Sequence, residues 1–343
     1  MLVEKIECRS IVDQREWDRL AADLDGSFFH CYTYAKLESS RPGVEPLFVN
    51  AFDQSGECVG IVVCTILSPR SWPSSLFSKT AVFGALPATK GRNAELELSM
   101  MNMLERELRS RGVFQIRICS YESPNSRKVL SAFSCELSDR AEFYIDLSRS
   151  TDDIWKMLKS ARRNDIRKAR KLGVESRLDN TIKGVQQLYD FQAESLQRRG
   201  ILFDPFYTPA ERLQTLLLDT NRAKLLVSYR DDVPVNAALF GLFGGRAYYL
   251  ASGSSSDGYK SCGPVHLLWT MIEMLKADGA TTLNLGGVDG PTDRERGVKD
   301  GLYSFKKDFG GTVIPQPGGF KTISLFGARL NSILTVCKRM VTH

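Results

Sequence analysis

Lys224–Ser252 reads KLLVSYRDDVPVNAALFGLFGGRAYYLAS. Lys224–Tyr229 has the apolar content of a strand, Asp231-Asp232 supplies turn residues, and Pro234–Phe243 is a long apolar partner. Gly244-Gly245 permits a second tight turn into Arg246–Ser252. A Gly/Ser-bearing loop follows, then a helix over Pro264–Ala277, a stop at Gly279 and a strand over Thr281–Leu285. The same series occurs earlier in the chain. Leu47–Phe52, the turn Asp53-Gln54-Ser55-Gly56, Val59–Leu67 and Thr80–Ala85 read as three strands, followed by an amphipathic helix Glu95–Arg109, Gly112 and a strand Phe114–Cys119. The offset is 177 residues at the first strand (47 to 224) and 167 at the last (114 to 281). An internal duplication is the simplest account.

Three antiparallel strands, a helix and a parallel strand form the core of the GNAT-type acyltransferase fold, and the repeated series resembles it twice. The expected class is α+β, with two GNAT-like lobes, each a mixed, mostly antiparallel sheet flanked by helices. The lobes are expected at residues 1–141 and 142–319, the second carrying the main cleft. Glu16–Leu24 and Val185–Arg199 read as further helices, and Phe320–Met340 as a terminal helix, giving a 320–343 segment that rejoins the first lobe. Leu325, Leu330, Ile333, Leu334 and Val336 give that helix an apolar face suited to packing, with peripheral membrane contact as the alternative.

Composition bounds the function. A chain with 43% hydrophobic and 25% charged residues is neither disordered nor fibrous. No apolar run approaches the ~20 residues that span a bilayer; Val59–Leu67 is short and reads as a buried strand. With Glu4 and Glu7 near the start and no apolar leader, a soluble, cytoplasmic protein is expected. Cys8, Cys31, Cys58, Cys64, Cys119, Cys135, Cys262 and Cys337 form no CxxC, and His30, His266 and His343 form no HExxH. No metal site is expected.

The charge is localised. Lys156–Lys171 holds eight basic residues and one acid, Asp165, whereas the remainder is 38 basic against 39 acidic. The stretch reads as one helix, with Ser150-Thr151-Asp152-Asp153 as a capping box and Gly173 as its stop. On a single helix Ile154, Leu158, Ala161, Ala169 and Leu172 share one side, and Lys156, Lys159, Arg163, Arg167, Arg170 and Lys171 fill an arc of roughly 120° opposite. A solvated face is the bland reading. A phosphate-rich partner is the functional one, because same-sign charges without interleaved acids repel. Lys159, Arg163, Arg167 and Arg170 are its candidate phosphate or RNA contacts.

Three stretches resemble the Fem-type peptidoglycan aminoacyltransferases: Ser160–Val174 (SARRNDIRKARKLGV), Gly263–Gly287 with its TTLNLGG end, and Gly301–Gly311 (GLYSFKKDFGG). Tyr34-Ala35-Lys36 is a weaker match. The resemblance implies transfer of an amino acid from aminoacyl-tRNA to an amine on a cell-wall precursor or related acceptor, by direct attack on the ester and without a resident cofactor. It implies that Lys306, expected at a strand end, neutralises charge at the reacting carbonyl, and that Lys36 and Arg198 or Arg199 hold phosphates of a nucleotide- or lipid-linked acceptor. Phe305 and Tyr259 complete the candidate substrate contacts. There is no room between Leu172 and Leu225 for the long helical arm of some family members. Ser256–Gly263 (SDGYKSCG) also departs from the (Arg/Gln)-x-x-Gly-x-(Gly/Ala) loop of coenzyme A users. The alternatives are an acyl-CoA-dependent N-acyltransferase of polysaccharide or metabolite biosynthesis and a non-catalytic GNAT-like binding module.

Overall fold

The computed structural model describes residues 3–69, 78–198, 200, 210–289, 301–324 and 327. The chain forms two compact units: residues up to Arg140 with the return from Pro315, and Ala141–Val288 continued to Ile314.

The first unit is built on strands β1 (Lys5–Arg9), β2 (Val44–Phe52), β3 (Cys58–Leu67), β4 (Lys79–Phe83), β5 (Ala88–Thr89), β6 (Val113–Ile118) and β7 (Glu136–Ser138). Their order is β1-β2-β3-β4-β6-β15-β7, where β15 is Gly318–Thr322 and β5 pairs with β3. Only β4 and β6 are parallel among the registered pairs. Helices α1 (Gln14–Asp23), α2 (Tyr32–Glu38), α3 (Ala94–Ser110) and α4 (Ser126–Ala132) accompany the sheet. Helix α3 starts where Asn93 accepts from the backbone N–H of Glu95 and Leu96, and it buries Met100, Met101, Leu104 and Leu108 against β-branched residues of β2, β3 and β6.

The second unit carries β8 (Arg140–Asp146), β9 (Val174–Leu178), β10 (Ala223–Arg230), β11 (Val233–Phe243), β12 (Arg246–Ser254), β13 (Thr282–Asp289) and β14 (Thr312–Pro315), in the order β14-β8-β13-β12-β11-β10-β9. Its helices are α5 (Thr151–Met157), α6 (Ser160–Lys171), α7 (Ile182–Gln197), α8 (Ala210–Leu213), α9 (Ser256–Lys260), α10 (Gly263–Ala277) and α11 (Gly301–Asp308). Leu267, Leu268, Met271, Ile272 and Leu275 of α10 pack with Leu226, Phe240, Leu283 and Leu285 of the sheet and Ile166 of α6. Each unit thus contains the expected series: an antiparallel trio, a long helix, and a strand parallel to the third.

Several expectations are corrected. The basic stretch is two helices, because Leu158 and Lys159 adopt extended backbone and the Lys159 N–H donates to Asp308 O at 2.9 Å. The rotation exposes Ala161 and Leu172 and buries Ile166. Ser150 caps α5, its hydroxyl accepting from the Asp153 N–H at 3.1 Å, but the expected box is not completed, because the Asp153 carboxylate accepts from that hydroxyl at 2.6 Å instead of from the Ser150 N–H. Gly301–Asp308 is helical, so Lys306 does not end a strand. Phe320–Thr322, expected to open a helix, belongs to β15, Ile323 and Ser324 follow it without helical structure, and the remainder of that expected helix, Leu325 and its apolar neighbours included, lies outside the described residues apart from Gly327.

His266 of α10 is buried, with Nδ1 2.8 Å from Ser176 Oγ, which lies 2.7 Å from Ser228 Oγ. Burial, aided by the nearby Arg170 guanidinium, pushes its pKa down from 6.5 to about 4. A neutral His266 therefore favours the fold above pH ~6.5, and that contribution is lost as pH falls toward 4. Acid unfolding of the native chain should carry a component of up to ~3 kcal/mol across this window. His266→Gln should flatten it, as read by urea midpoints at several pH values.

Candidate active site

Strand β13 runs beside β12 for three positions, Arg246↔Thr282, Ala247↔Leu283 and Tyr248↔Asn284. Both strands continue, to Ser254 and Asp289. An extra residue, Leu250, interrupts the register of β12 on β11 between Leu239 and Phe240, and such a bulge bends a strand. Beyond Tyr248, the edge of β12 that faced β13 has no ladder partner among the described residues. The parallel pair therefore forks beyond Tyr248↔Asn284. In the first unit the corresponding strands stay zipped from Lys79↔Val113 to Phe83↔Ile118. The seam continues there through the Cys119 N–H to Phe83 O and the Tyr121 N–H to Gly84 O, both at 2.8 Å.

Lys306 sits at the fork of the second unit. Its Nζ donates to Gly287 O at 2.8 Å, and a methyl group placed on Gly286 would lie 3.5 Å from that Nζ and 3.4 Å from Tyr249 O. The ammonium is thus wedged where β12 and β13 part, in a residue only 4% exposed. Gly286 has φ +79°, a conformation that costs other residues roughly 1–2 kcal/mol. Helix α11 is anchored by the buried Phe309, by the Phe305–Phe309 contact at 5.2 Å and by Tyr303 edge-on to Phe143 at 5.0 Å. Lys307 is exposed.

Three groups that the sequence did not single out gather here. Glu142 of β8 is fully buried, and its Oε2 accepts from Tyr144 Oη at 2.5 Å and from Asn284 Nδ2 at 3.0 Å. Asn284 Oδ1 accepts the Gly286 N–H at 2.7 Å. Tyr249, stacked on Phe240 at 4.9 Å, has its phenol pushed up to about 12 by burial, so it stays protonated and able to donate. A carboxylate and an amide inside apolar strands (AEFYI and TLNL) are the signals that could have found the first two.

The other expected residues divide. Arg198, at the end of α7, donates to Glu194 Oε1 at 2.6 Å and to Ser254 O at 2.8 Å, and its guanidinium lies 5.2 Å from the Tyr259 ring. Arg198 and Tyr259 therefore meet at the end of β12, while Arg199 lies outside the described residues. Lys36 is in the first unit, half-buried, 5.8 Å from the Tyr32 ring. Phe305 lies under the Arg162 guanidinium at 5.9 Å. The single basic stripe is corrected: Lys159 pairs with Asp308 at 2.7 Å, Arg162 with Asp165 at 2.9 Å and Asp308 at 3.3 Å, and Arg170 with Glu273 at 3.8 Å. Arg163 folds back onto the carbonyls of Leu158 and Lys156 at 2.6 and 3.1 Å, serving the end of α5. Arg167 reaches Asn164 at 3.0 Å and the Trp155 ring at 5.6 Å, and it is exposed, as are Lys156, Lys168 and Lys171. The glycines before α10 serve packing: a methyl group on Gly258 would meet Val235 O at 2.2 Å, and one on Gly263 would meet Asn236 Oδ1 at 2.3 Å. Among the described residues no cluster of His, Cys, Asp and Glu could hold a metal, and no helix is long and apolar enough to cross a membrane.

Two sheets, each with one parallel pair beside an antiparallel trio and a long crossing helix, define a tandem GNAT-like fold. The FemAB family model matches residues 211–324, which include the fork and Lys306. A solved structure of FemX is similar over 95% of this chain and 99% of its own, with a TM-score of 0.75 at 14% identity. A tandem GNAT protein from the clavulanic acid biosynthesis pathway is similar over 93% and 99%, with a TM-score of 0.55 at 11% identity. The lipid II:glycine glycyltransferase of Staphylococcus aureus is 30% identical over 93 residues, covering 27% of this chain and 22% of that protein. The chain thus spans about a fifth of the length of the curated relatives it matches.

Proposed function

We propose that the protein is an aminoacyltransferase that moves an amino acid from aminoacyl-tRNA to an amine on a lipid- or nucleotide-linked cell-wall precursor. The observation that carries this reading is the Lys306 ammonium, buried at the fork of β12 and β13 and held against Gly287 O. An ester carbonyl lodged in the fork would present its oxygen to that ammonium. The acceptor amine attacks the carbonyl carbon and the C–N bond forms. The ester C–O bond then breaks, and the proton lost by the amine passes to the departing ribose oxygen. Charge on the tetrahedral intermediate is met by Lys306, in place before reaction. Lys36 and Arg198 suit acceptor phosphates, with Arg199 as the other arginine of that pair. The similarity to a lipid II:glycine glycyltransferase supports a lipid-linked acceptor.

Coenzyme A as donor is the second reading, and the tight packing of Gly258 and Gly263 against β11 weighs against the loop before α10 cradling its pyrophosphate. The deciding experiment offers a mixture of aminoacyl-tRNAs and, separately, acetyl-CoA, with an amine acceptor, and follows donor consumption. Consumption of acetyl-CoA alone would replace the proposal, and consumption of neither would favour a binding module.

RNA binding by the exposed cations of α6 gives a further expectation. Replacing Arg167, Lys168 and Lys171 by Gln should weaken tRNA binding and lower the slope of log K against log salt by about 1 for each phosphate no longer neutralised. Stability should change little, since all three are exposed. An unaltered affinity and slope would return this face to plain solvation.

A further inference from the structure

Glu142 asks for an explanation beyond packing. A fully buried carboxylate is costly unless matched by donors, and here two donors converge on one oxygen, Tyr144 Oη at 2.5 Å and Asn284 Nδ2 at 3.0 Å. Asn284 is used at both ends of its amide. Nδ2 faces Glu142, and Oδ1 accepts the Gly286 N–H at 2.7 Å. Rotating the amide by half a turn would set oxygen against carboxylate and NH2 against N–H, so only one orientation is tolerated. Asn284 is also the last residue of β13 in register with β12. Its side chain therefore seizes the backbone two residues on, at the point where the strand departs from its neighbour and Gly286 turns to φ +79°. The next residue, Gly287, presents the carbonyl that holds Lys306 Nζ at 2.8 Å.

We infer that Tyr144, Glu142 and Asn284 form a positioning relay that fixes the Gly286-Gly287 corner and, through its carbonyl, the place of the Lys306 ammonium. The inference rests on the aminoacyl-transfer reading for its catalytic consequence, though not for its geometry. None of the three is assigned a bond-making role. Their effect is to hold one cation within the tolerance that an oxyanion demands, where a displacement of ~1 Å can cost on the order of 10²-fold in rate. Orientation of the hydrogen-bonded chain is what counts, so carboxylate and amide could trade places along it.

That last point supplies the test. Asn284→Asp, which sets carboxylate against carboxylate, should lower kcat by ~10-fold or more with acceptor KM within ~2-fold, and Glu142→Gln, whose amide oxygen can still accept from Tyr144 and Asn284, should lower it less. In Asn284→Asp the two carboxylates can share a proton, so its kcat should recover as pH falls, unlike that of the parent chain. The double variant Glu142→Gln/Asn284→Asp exchanges amide and carboxylate. The amide introduced on β8 can donate to the carboxylate introduced on β13, and that carboxylate can still accept the Gly286 N–H. The exchange should return kcat to within ~3-fold of the parent. A second readout does not depend on turnover: the rate at which an amine-acylating reagent modifies Lys306, followed by peptide mass spectrometry. The single variants should speed modification, and the double should restore the slow rate. Tyr144→Phe, which removes only one hydroxyl, is the mild variant should a single fail to fold, and it should accelerate modification to a lesser degree. Unchanged Lys306 modification in these variants, or a folded double variant as impaired as the worse single, overturns the relay. A fully active Lys306→Met variant would instead sink the aminoacyl-transfer reading while leaving the modification data to judge the relay alone.

Discussion

Lys306→Met should lower kcat by ~10²-fold or more and leave acceptor KM nearly unchanged. The ammonium is wedged against Gly287 O, and the charge it would meet exists only once the carbonyl has been attacked, so its loss falls on the transition state. Methionine fills a similar volume in a site that is 4% exposed, so the fold should survive the change. Lys306→Arg should recover activity only in part, because a planar, wider guanidinium cannot place its charge at the same point. Lys307→Met is the control: one helical step is ~100°, which turns Lys307 into solvent. Steady-state kinetics with the donor identified by the consumption assay decides the matter. Equal losses in the two methionine variants, or full activity of Lys306→Met, would move the catalytic site elsewhere.

The second large effect is on stability. Helix α7 lies so close to β12 that a methyl group on Gly253 would stand 2.4 Å from Gln192 N and 2.4 Å from the carbonyl carbon of Phe191. Both are backbone atoms and cannot swing aside as a side chain would. Gly253→Ala should therefore push helix and strand apart and cost ~2–3 kcal/mol, the upper part of the range for overpacking a close-packed interior. Gly245→Ala offers a contrast, because nothing lies near its would-be methyl group and only its φ of +71° opposes the change. It should cost ~1–2 kcal/mol. Urea unfolding with an unchanged m-value is the measurement. A Gly253→Ala chain as stable as the parent would mean that α7 yields freely.

The strands of the repeated series were readable because each is an apolar run bounded by turn residues, as in Val59–Leu67 or Pro234–Phe243. The break at Leu158 and Lys159 was not. Helical periodicity runs straight through it, and the event that stops the helix is a backbone bond to Asp308, far along the chain. The same distance hid the partners of the basic residues: Arg163 reads as one charge in a stripe, yet it is spent on carbonyls of the preceding helix. β15 was missed because Phe320–Thr322 reads as the start of a terminal helix, and only the gap between β6 and β7 makes Gly318–Thr322 a strand. Lys306 was found through the resemblance of its stretch, but its helical setting was not. Glu142 and Asn284 were visible as polar residues in apolar strands, whereas their pairing across 142 positions is tertiary information that spacing does not carry.

The placement of β15 bears on the order in which the protein is made. Gly318–Thr322 lies between β6 and β7, antiparallel to both, so the sheet of the unit synthesised first is finished by some of the later residues of the chain. The other unit is complete at Ile314. Domains generally mature from the N-terminus as they leave the ribosome; here the earlier unit must wait with two strand edges open while the later one is translated. During that interval the edges of β6 and β7 are templates for a stray strand. A chain truncated before Gly318 would keep the whole forked sheet and still be a poor protein, prone to aggregate through the unit that carries no fork.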